Sequence, residues 1–215
     1  MDDKKWAKWA ALGGVGFVVL NVIGIILMGS PPMADDSNEK VYEYFLDKES
    51  GIRTSTLLGA LSLILLLWWF GTLWRRMAEA ETNQNRLSVL SLIGLAGSGA
   101  LWGVNATIPC GVAMRAEELG PDPTRFFWTL SATVLAFGGA FLVVHLLATN
   151  VLALRTGFLP KWNAMLGFVP AALFLVSTYG TMSDGDLPMI AGGLAFITWS
   201  IWLLATSFHM WKTAD

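Results

Sequence analysis

The sequence predicts an all-α membrane protein, a bundle of six transmembrane helices with a short amphipathic helix between the first two. Six apolar stretches of 20 to 29 residues run through the chain, and apart from Lys8 and Arg53 near the start of two of them they contain no Asp, Glu, Lys or Arg. The 215 residues are 54% hydrophobic and only 14% charged, whereas soluble domains carry about 25% charged residues. The stretches occupy most of the chain, so we expect a single membrane domain over residues 1–215.

Each stretch is long enough to cross a bilayer, because a hydrocarbon core about 30 Å thick needs about 20 residues of helix. The stretches are Trp6–Met28, Ile52–Trp74, Leu87–Pro109, Phe126–Leu154, Trp162–Thr181 and Leu187–Trp211. The connections between most of them are short, which favours consecutive helices that pack as antiparallel neighbours.

The longest connection, Gly29–Gly51, begins with a pair of prolines that end the first helix. Asp36 or Ser37 can then cap a short helix, and apolar residues recur at helical spacing within Val41–Lys48. This helix can act as a lid over an outward cavity or as a plain connector on the membrane surface. The connection Cys110–Arg125 is expected to be an outer loop with one or two helical turns over Val112–Leu119, which Gly120 and Pro121 end.

The distribution of Lys and Arg predicts that both termini lie on the cytoplasmic side, since cytoplasmic loops carry an excess of these residues. Nine fall in segments that are then inside: Lys4, Lys5, Lys8, Arg75, Arg76, Arg86, Arg155, Lys161 and Lys212. Five fall outside: Lys40, Lys48, Arg53, Arg115 and Arg125. Tryptophans such as Trp9, Trp162 and Trp211 sit at the inner boundary, where indole rings favour the headgroup layer.

Small residues in the third stretch predict that this helix is central to the bundle. Gly94, Gly99 and Gly103 lie in this stretch, the last two in G-x-x-x-G spacing, which allows helix backbones to approach closely in a membrane. We expect this surface to pack within the bundle, with homodimerisation as the alternative. Pro170 is expected to kink the fifth stretch, because the carbonyl one turn earlier loses its hydrogen-bond donor.

Polar residues within the apolar stretches are the candidate functional residues. Asn21 and Asn105 fall in the outer half of the membrane, and Tyr179 lies near the outer end of the fifth stretch. Together they predict an outward-facing cavity that binds a small apolar or amphipathic ligand. The alternative is that the asparagines only form hydrogen bonds between helices.

His145, within the fourth stretch, is the fourth candidate ligand-binding residue. A neutral imidazole can ligate haem iron or carry a proton. The sequence provides no second histidine at a similar depth and no Cys/His spacing of a zinc site. We therefore expect no cofactor and no metal, with a haem on His145 as an alternative and a hydrogen bond to a neighbouring helix as the simpler interpretation.

No catalytic residues are predicted. The sequence contains no H-E-x-x-H, no G-x-S-x-G and no carboxylate pair inside the apolar stretches. A proton relay of the kind found in pumps would need buried carboxylates. We therefore expect a protein that is not an enzyme.

Two segments resemble a loose group of uncharacterised multi-spanning membrane proteins, common in actinobacteria and related bacteria and known only as domains of unknown function. They are Leu154–Trp162 with the following Ala164–Gly167, and Val41–Phe45 with the following Gly51–Arg53. The resemblance implies a helical bundle in a bacterial cytoplasmic membrane and carries over no active site.

We therefore expect a membrane protein that binds a small ligand or a membrane partner through an outward cavity. The alternatives are a small facilitator or transporter, a haem-binding redox protein, and an accessory subunit of a larger membrane complex. The expected partners are the lipid bilayer, a small apolar ligand, and a second copy or a larger complex, but not nucleic acid.

Overall fold

Helices account for nearly all of residues 3–82, 85–179 and 187–214, which the computed structural model describes, and these ranges contain no strand. The helices are α1 Asp3–Met28, α2 Asn38–Asp47, α3 Glu49–Glu81, α4 Arg86–Leu119, α5 Pro121–Thr156, α6 Lys161–Leu166, α7 Phe168–Thr178 and α8 Leu187–Lys212. Five of them, α1, α3, α4, α5 and α8, are long and apolar enough to cross a membrane. The chain is therefore a helical membrane protein.

The fifth predicted stretch is divided at Gly167 into α6 and α7. Pro170 has no N–H, so the carbonyl of Leu166 lacks its usual helical donor. The side chain of Asn150 lies against Gly167, where a Cβ atom would collide with it. The helix is thus divided three residues before Pro170, at Gly167, which keeps helical angles of φ −67° and ψ −15°. The end of the stretch at Gly180–Thr181 lies outside the described residues.

The long helices pack in a closed ring in the order α1, α3, α4, α5, α7, α8, with α8 returning to α1. Large side chains from the ring fill its centre. Trp69, Trp199, Trp202, Leu142 and Leu146 are each 0% exposed. This filled aromatic core means that the centre of the bundle is a packed interior.

Two ends of the bundle can be distinguished by their charges. At the basic end, the start of α1, the end of α3, the residues after α5 and the end of α8 meet around Ala7, Ala80, Phe158 and Ala214. At the acidic end, α2 packs on α4 and α5. Of the acidic residues described, Asp35, Asp36, Glu39, Glu43, Asp47, Glu49, Glu117, Glu118 and Asp122 belong to this end.

The helix α4 is longer than the sequence predicted. It continues through Pro109 to Leu119, and only Arg115 departs from helical geometry, with φ −133° and ψ 15°. The helical turns predicted at Val112–Leu119 and their end at Gly120 are therefore present, but the prediction that a loop separates them from the third stretch is wrong. The extension is stable because the apolar face of α2, through Val41 and Phe45, covers it.

Glycines in α4 allow its closest contact with α5. A Cβ atom on Gly94 would lie 2.6 Å from the backbone nitrogen of His145 and 2.7 Å from the carbonyl oxygen of Phe141. A Cβ atom on Gly99 would meet only a methyl carbon of Leu63 at 3.3 Å, and one on Gly103 would meet no atom within 4 Å. The tight contact is therefore at Gly94 and not at the G-x-x-x-G pair, because spacing defines a helix face but not which helix covers it.

Candidate functional site

No hydrogen bond joins the described residues Asn21, Asn105 and Tyr179, which are predicted to line an outward cavity. The side-chain nitrogen of Asn21 donates to Ser62 Oγ on α3 and to the carbonyl of Phe17, each at 2.9 Å. Asn105 is half-buried on α4 and is not a partner of Asn21. The Tyr179 side chain is 60% exposed. Asn21 thus joins α1 to α3, as in the alternative interpretation of interhelical hydrogen bonding.

The helix α2 covers the acidic end of the bundle where a cavity mouth would lie. Val41 and Phe45 are 0% exposed and pack against residues of the α4 extension, including Val112 and Ala116. Ser37 caps the helix by accepting from the backbone nitrogen of Lys40. This packing leaves the apolar face of α2 without free area for a ligand.

Polar contacts hold the segment before α2 in place. Arg125 on α5 donates to the carbonyls of Asp36, at 2.9 Å, and Ala34. Asp36 accepts from the backbone nitrogen of Met33 and pairs with Lys40 at 2.6 Å. The hydrogen bond from Lys40 and that from Met33 lower the pKa of the Asp36 carboxyl below its ordinary value. The segment before α2 is therefore held both by α5, through Arg125, and by the first turn of α2, through Lys40.

His145 is fully buried and bonded to α4. Its Nδ1 lies 2.8 Å from Ser91 Oγ, which in turn lies 3.0 Å from Thr149 Oγ1. The other ring nitrogen, Nε2, has no hydrogen-bond partner among the described residues. The rings of Phe70 and Trp202 lie 5.4 and 6.0 Å from the imidazole, edge to face. His145 thus serves as a contact between α4 and α5 within the aromatic core.

A haem on His145 stays an alternative prediction. The imidazole is 0% exposed, and the rings of Phe70 and Trp202 pack against it. In the described ranges no group of three or more His, Cys, Asp or Glu side chains could hold a metal ion.

A groove of about 680 Å³ opens at the basic end of the bundle. Small side chains, Ala7, Thr72, Ala80 and Ala214, leave the space free. The remaining lining is contributed by Arg75, Arg76, Glu79, Phe158, His209 and Thr213. The groove therefore combines two guanidinium groups and one carboxylate with an aromatic ring and small apolar walls.

Arg76 is held in the groove by the end of α8. Its Nη1 donates to Thr213 Oγ1 at 2.6 Å and its Nη2 to the carbonyl of Met210 at 2.9 Å. A cation is favoured there, because the free carbonyls at a helix C-terminus carry partial negative charge. Arg76 thus ties α3 to α8 and fixes a positive charge in the wall.

Arg75, unlike Arg76, pairs with a carboxylate at the surface. Its Nε lies 3.0 Å from Glu79, and the two side chains are 71% and 64% exposed. Exposed ion pairs of this kind contribute only about 0–1 kcal/mol. Arg75 can therefore leave Glu79 and bind another anion at small cost, so the groove is suited to an anionic group.

Sequence reasoning missed this groove, although one signal was present. Thr72, Arg75, Arg76 and Glu79 recur at i, i+3, i+4 and i+7 and so share a face of α3. The other walls come from three distant segments of the chain.

Asn150 and Asn163 form further polar contacts in this half of the bundle, with Trp202 at 3.1 Å and Thr206 at 3.1 Å.

Comparison with known proteins gives one match. Residues 12–206 match the model of a family described as Domain of unknown function (DUF4386). Neither a curated protein nor a solved structure matches the chain. The match covers most of the chain and carries no activity with it, so a functional argument has to come from the geometry.

Proposed function

We propose that this chain, which belongs to the DUF4386 family, is a non-enzymatic membrane protein that binds an anionic amphipathic molecule at its basic end. The observation that carries the proposal is the groove lined by Arg75, Arg76 and His209. Guanidinium groups suit phosphate and carboxylate, since they present several donors in a fixed fork.

The proposed topology has six spans with both termini in the cytoplasm. Residues 161–178 together supply about 27 Å of helix at 1.5 Å per residue, close to the thickness of a hydrocarbon core. The break at Gly167 lies against Asn150 and is enclosed by protein, the situation in which a membrane tolerates interrupted helices. The excess of Lys and Arg at the basic end supports a cytoplasmic position for it, in the cytoplasmic membrane of a bacterium.

An amphipathic ligand fits the position of the groove. The walls at Thr72 and Ala7 adjoin the apolar parts of α3 and α1, while Arg75 and Glu79 lie one and two turns further towards the end of α3. A ligand with its charged group at Arg75 and its apolar part towards Thr72 would match this change in polarity. This arrangement favours an anionic amphiphile over a purely apolar molecule.

The geometry favours this groove over an outward cavity formed by Asn21, Asn105 and Tyr179. Access to an outward cavity would require α2 to withdraw Val41 and Phe45 from α4, which exposes two side chains that are 0% exposed now. Each would lose about 1.5–3 kcal/mol of burial energy. The groove at the basic end requires no such movement.

Binding of dodecyl phosphate, a single-chain phosphate monoester, tests the proposal. We expect the purified protein to bind it more tightly than dodecyl maltoside, which has a neutral headgroup. Arg75→Gln should weaken this binding about fivefold, the upper range for an exposed charge pair. Ala80→Phe should weaken it by roughly tenfold or more, because the ring fills space that the ligand needs.

The chain provides a matched control for Arg75. Arg53 pairs with Glu49 at 2.9 Å in the same i, i+4 geometry, is also exposed, and belongs to the acidic end. Arg53→Gln should leave binding of dodecyl phosphate unchanged. Equal losses in the two variants, or equal binding of the neutral detergent, would contradict the proposal. Flux of the probe across proteoliposomes would instead support the transporter alternative.

A further inference from the structure

A second, smaller cleft of about 230 Å³ lies between the first turns of α1 and the end of α8. It is lined by Lys5, Lys8, Trp9, Leu12 and Trp211. None of these residues belongs to the groove proposed above, and the lining contains no carboxylate. The cleft is therefore a separate cationic and aromatic surface.

The α1 side of the cleft changes from charged to apolar along one helix face. Lys5, Lys8, Trp9 and Leu12 recur at i, i+3, i+4 and i+7. The distance from Lys5 to Leu12 is about 10 Å along the axis, at 1.5 Å per residue. Ammonium, indole and leucine side chains thus follow one another in the order in which a phospholipid presents phosphate, glycerol and acyl chain.

The same face of α1 continues as an apolar surface beyond the cleft. Val19 and Ile23, which lie on this face, are 49% and 43% exposed. Exposed aliphatic side chains on a membrane-spanning helix are in contact with lipid tails. The cleft therefore opens towards lipid, which distinguishes it from a site for a free anion in water.

The α8 side adds the aromatic surface of Trp211 to the cleft. The ring of Trp211 stacks on Phe208 with centroids 6.3 Å apart, and Lys212 Nζ lies 4.5 Å above the Phe208 ring. Trp9 and Trp211 remain 66% and 42% exposed, so their faces are available to a ligand. An indole N–H is a hydrogen-bond donor that suits phosphate and ester oxygens.

We propose that this cleft binds the headgroup of an anionic phospholipid, with the phosphate beside Lys5 and Trp211 and an acyl chain along Leu12, Val19 and Ile23. The simpler interpretation is that these side chains are ordinary interfacial anchors, with lysines that extend to the surface and indoles in the headgroup layer. The two interpretations differ in selectivity. Ordinary anchors tolerate any lipid, whereas a binding site enriches the anionic one.

The test measures which lipids stay with the protein. The protein is reconstituted in a membrane with equal amounts of phosphatidylglycerol and phosphatidylcholine. It is then released from that membrane inside a mass spectrometer, where the lipids that remain bound to it are counted. We expect the wild type to retain phosphatidylglycerol about tenfold over phosphatidylcholine. In an Ala80→Phe background, in which the groove is filled, the double variant Lys5→Gln with Trp211→Ala should retain the two lipids in nearly equal amounts.

Lys161 and Trp162 provide the matched control, because they form another exposed lysine–tryptophan pair at the basic end, outside the cleft. Lys161→Gln with Trp162→Ala should keep the enrichment. Loss of the enrichment in both double variants, or no enrichment in the wild type, would overturn the proposal. Thermal stability measured on each variant separates loss of the site from loss of the fold.

Two further measurements distinguish lipid binding at the cleft from binding of a free anion and from binding at the groove. Inorganic phosphate at millimolar concentration should not displace phosphatidylglycerol, and displacement would overturn the assignment to lipid. Ala80→Phe alone, which fills the groove, should keep the enrichment, and loss of the enrichment in this variant would place the retained lipid in the groove. Failure of the groove proposal and failure of the cleft proposal are therefore distinguishable.

Discussion

The two ends of the helix bundle are closed by different means. At the acidic end a whole helix, α2, lies across α4 and α5 and buries Val41 and Phe45. At the basic end the closure consists of single side-chain contacts, such as Arg76 with the last carbonyls of α8. A covering helix fills the space between helix ends, whereas single side chains leave grooves between them. This difference explains why both proposed sites are at the basic end.

Polar contacts join the helices in both halves of the bundle. The half towards the basic end contains the chain from His145 through Ser91 to Thr149, and the bond from Trp202 to Asn150. The half towards the acidic end contains the bond from Asn21 to Ser62 and the bond from Thr56 to the carbonyl of Ala106.

The largest effect is expected from Gly94→Leu, which should destabilise the protein by roughly 3 kcal/mol or more, because the new side chain meets the α5 backbone. Gly103→Leu is the control, since a Cβ atom there meets no atom within 4 Å. Thermal unfolding in detergent measures both. Equal stability of the two variants would show that the α4–α5 contact is elsewhere.

Phe45→Ala should remove about 3 kcal/mol of packing energy from the cover over the acidic end, because the ring is 0% exposed and lies 5.9 Å from the ring of Trp128. Hydrogen exchange should rise in α2 and stay low in α5. The neighbouring Leu46, which is 39% exposed, is the control, and Leu46→Ala should change little. Equal exchange in the two variants would mean that α2 is not held by its apolar face.

Ser91→Ala should cost about 1–2 kcal/mol, because it removes the hydroxyl that contacts His145 Nδ1 and Thr149 inside the bundle. Ser98 on the same helix is also buried, but its hydroxyl has no partner among the described residues. Ser98→Ala should therefore be neutral or slightly stabilising. Unfolding midpoints that fall equally for both serines would contradict the role of the His145 contact.

The smallest effect is the pH dependence of the segment before α2. Because Lys40 and Met33 lower the pKa of Asp36 in the folded state, its ionised form stabilises that segment. This contribution is complete above the unfolded-state pKa and is lost as the pH falls through the lower folded-state pKa. Hydrogen exchange of α2 should rise in acid in the wild type. The rise should be smaller in Asp36→Asn, and an identical rise would exclude Asp36 as the cause.

The sequence was sufficient for the parts of the fold that depend on hydrophobic length and local capping. The apolar stretches locate α1, α3, α4, α5 and α8, because burial in lipid is a property of the stretch itself. The spacing within Val41–Lys48 and the cap at Ser37 gave α2, because both act within a few residues.

What the sequence did not predict depends on contacts between distant segments. The continuation of α4 through Pro109 into the turns at Val112–Leu119 is stabilised by α2, which lies some 70 positions earlier in the chain. The partner of Asn21 is Ser62, a serine that no pattern distinguishes from its neighbours. The groove is formed by α1, α3, α8 and the residues around Phe158, so no single segment carries its signature.

The central claim is that the ligand groove lies at the basic end, on the cytoplasmic side. Single cysteines Ala80→Cys, in the groove, and Glu117→Cys, at the acidic end, can be compared after Cys110→Ser removes the native thiol. With a membrane-impermeant maleimide, we predict that Ala80→Cys reacts only from the cytoplasmic side and is protected by dodecyl phosphate. Glu117→Cys should react only from the opposite side, and dodecyl phosphate should not slow its reaction. Reaction of both cysteines from the same side, or protection of neither, would contradict the account.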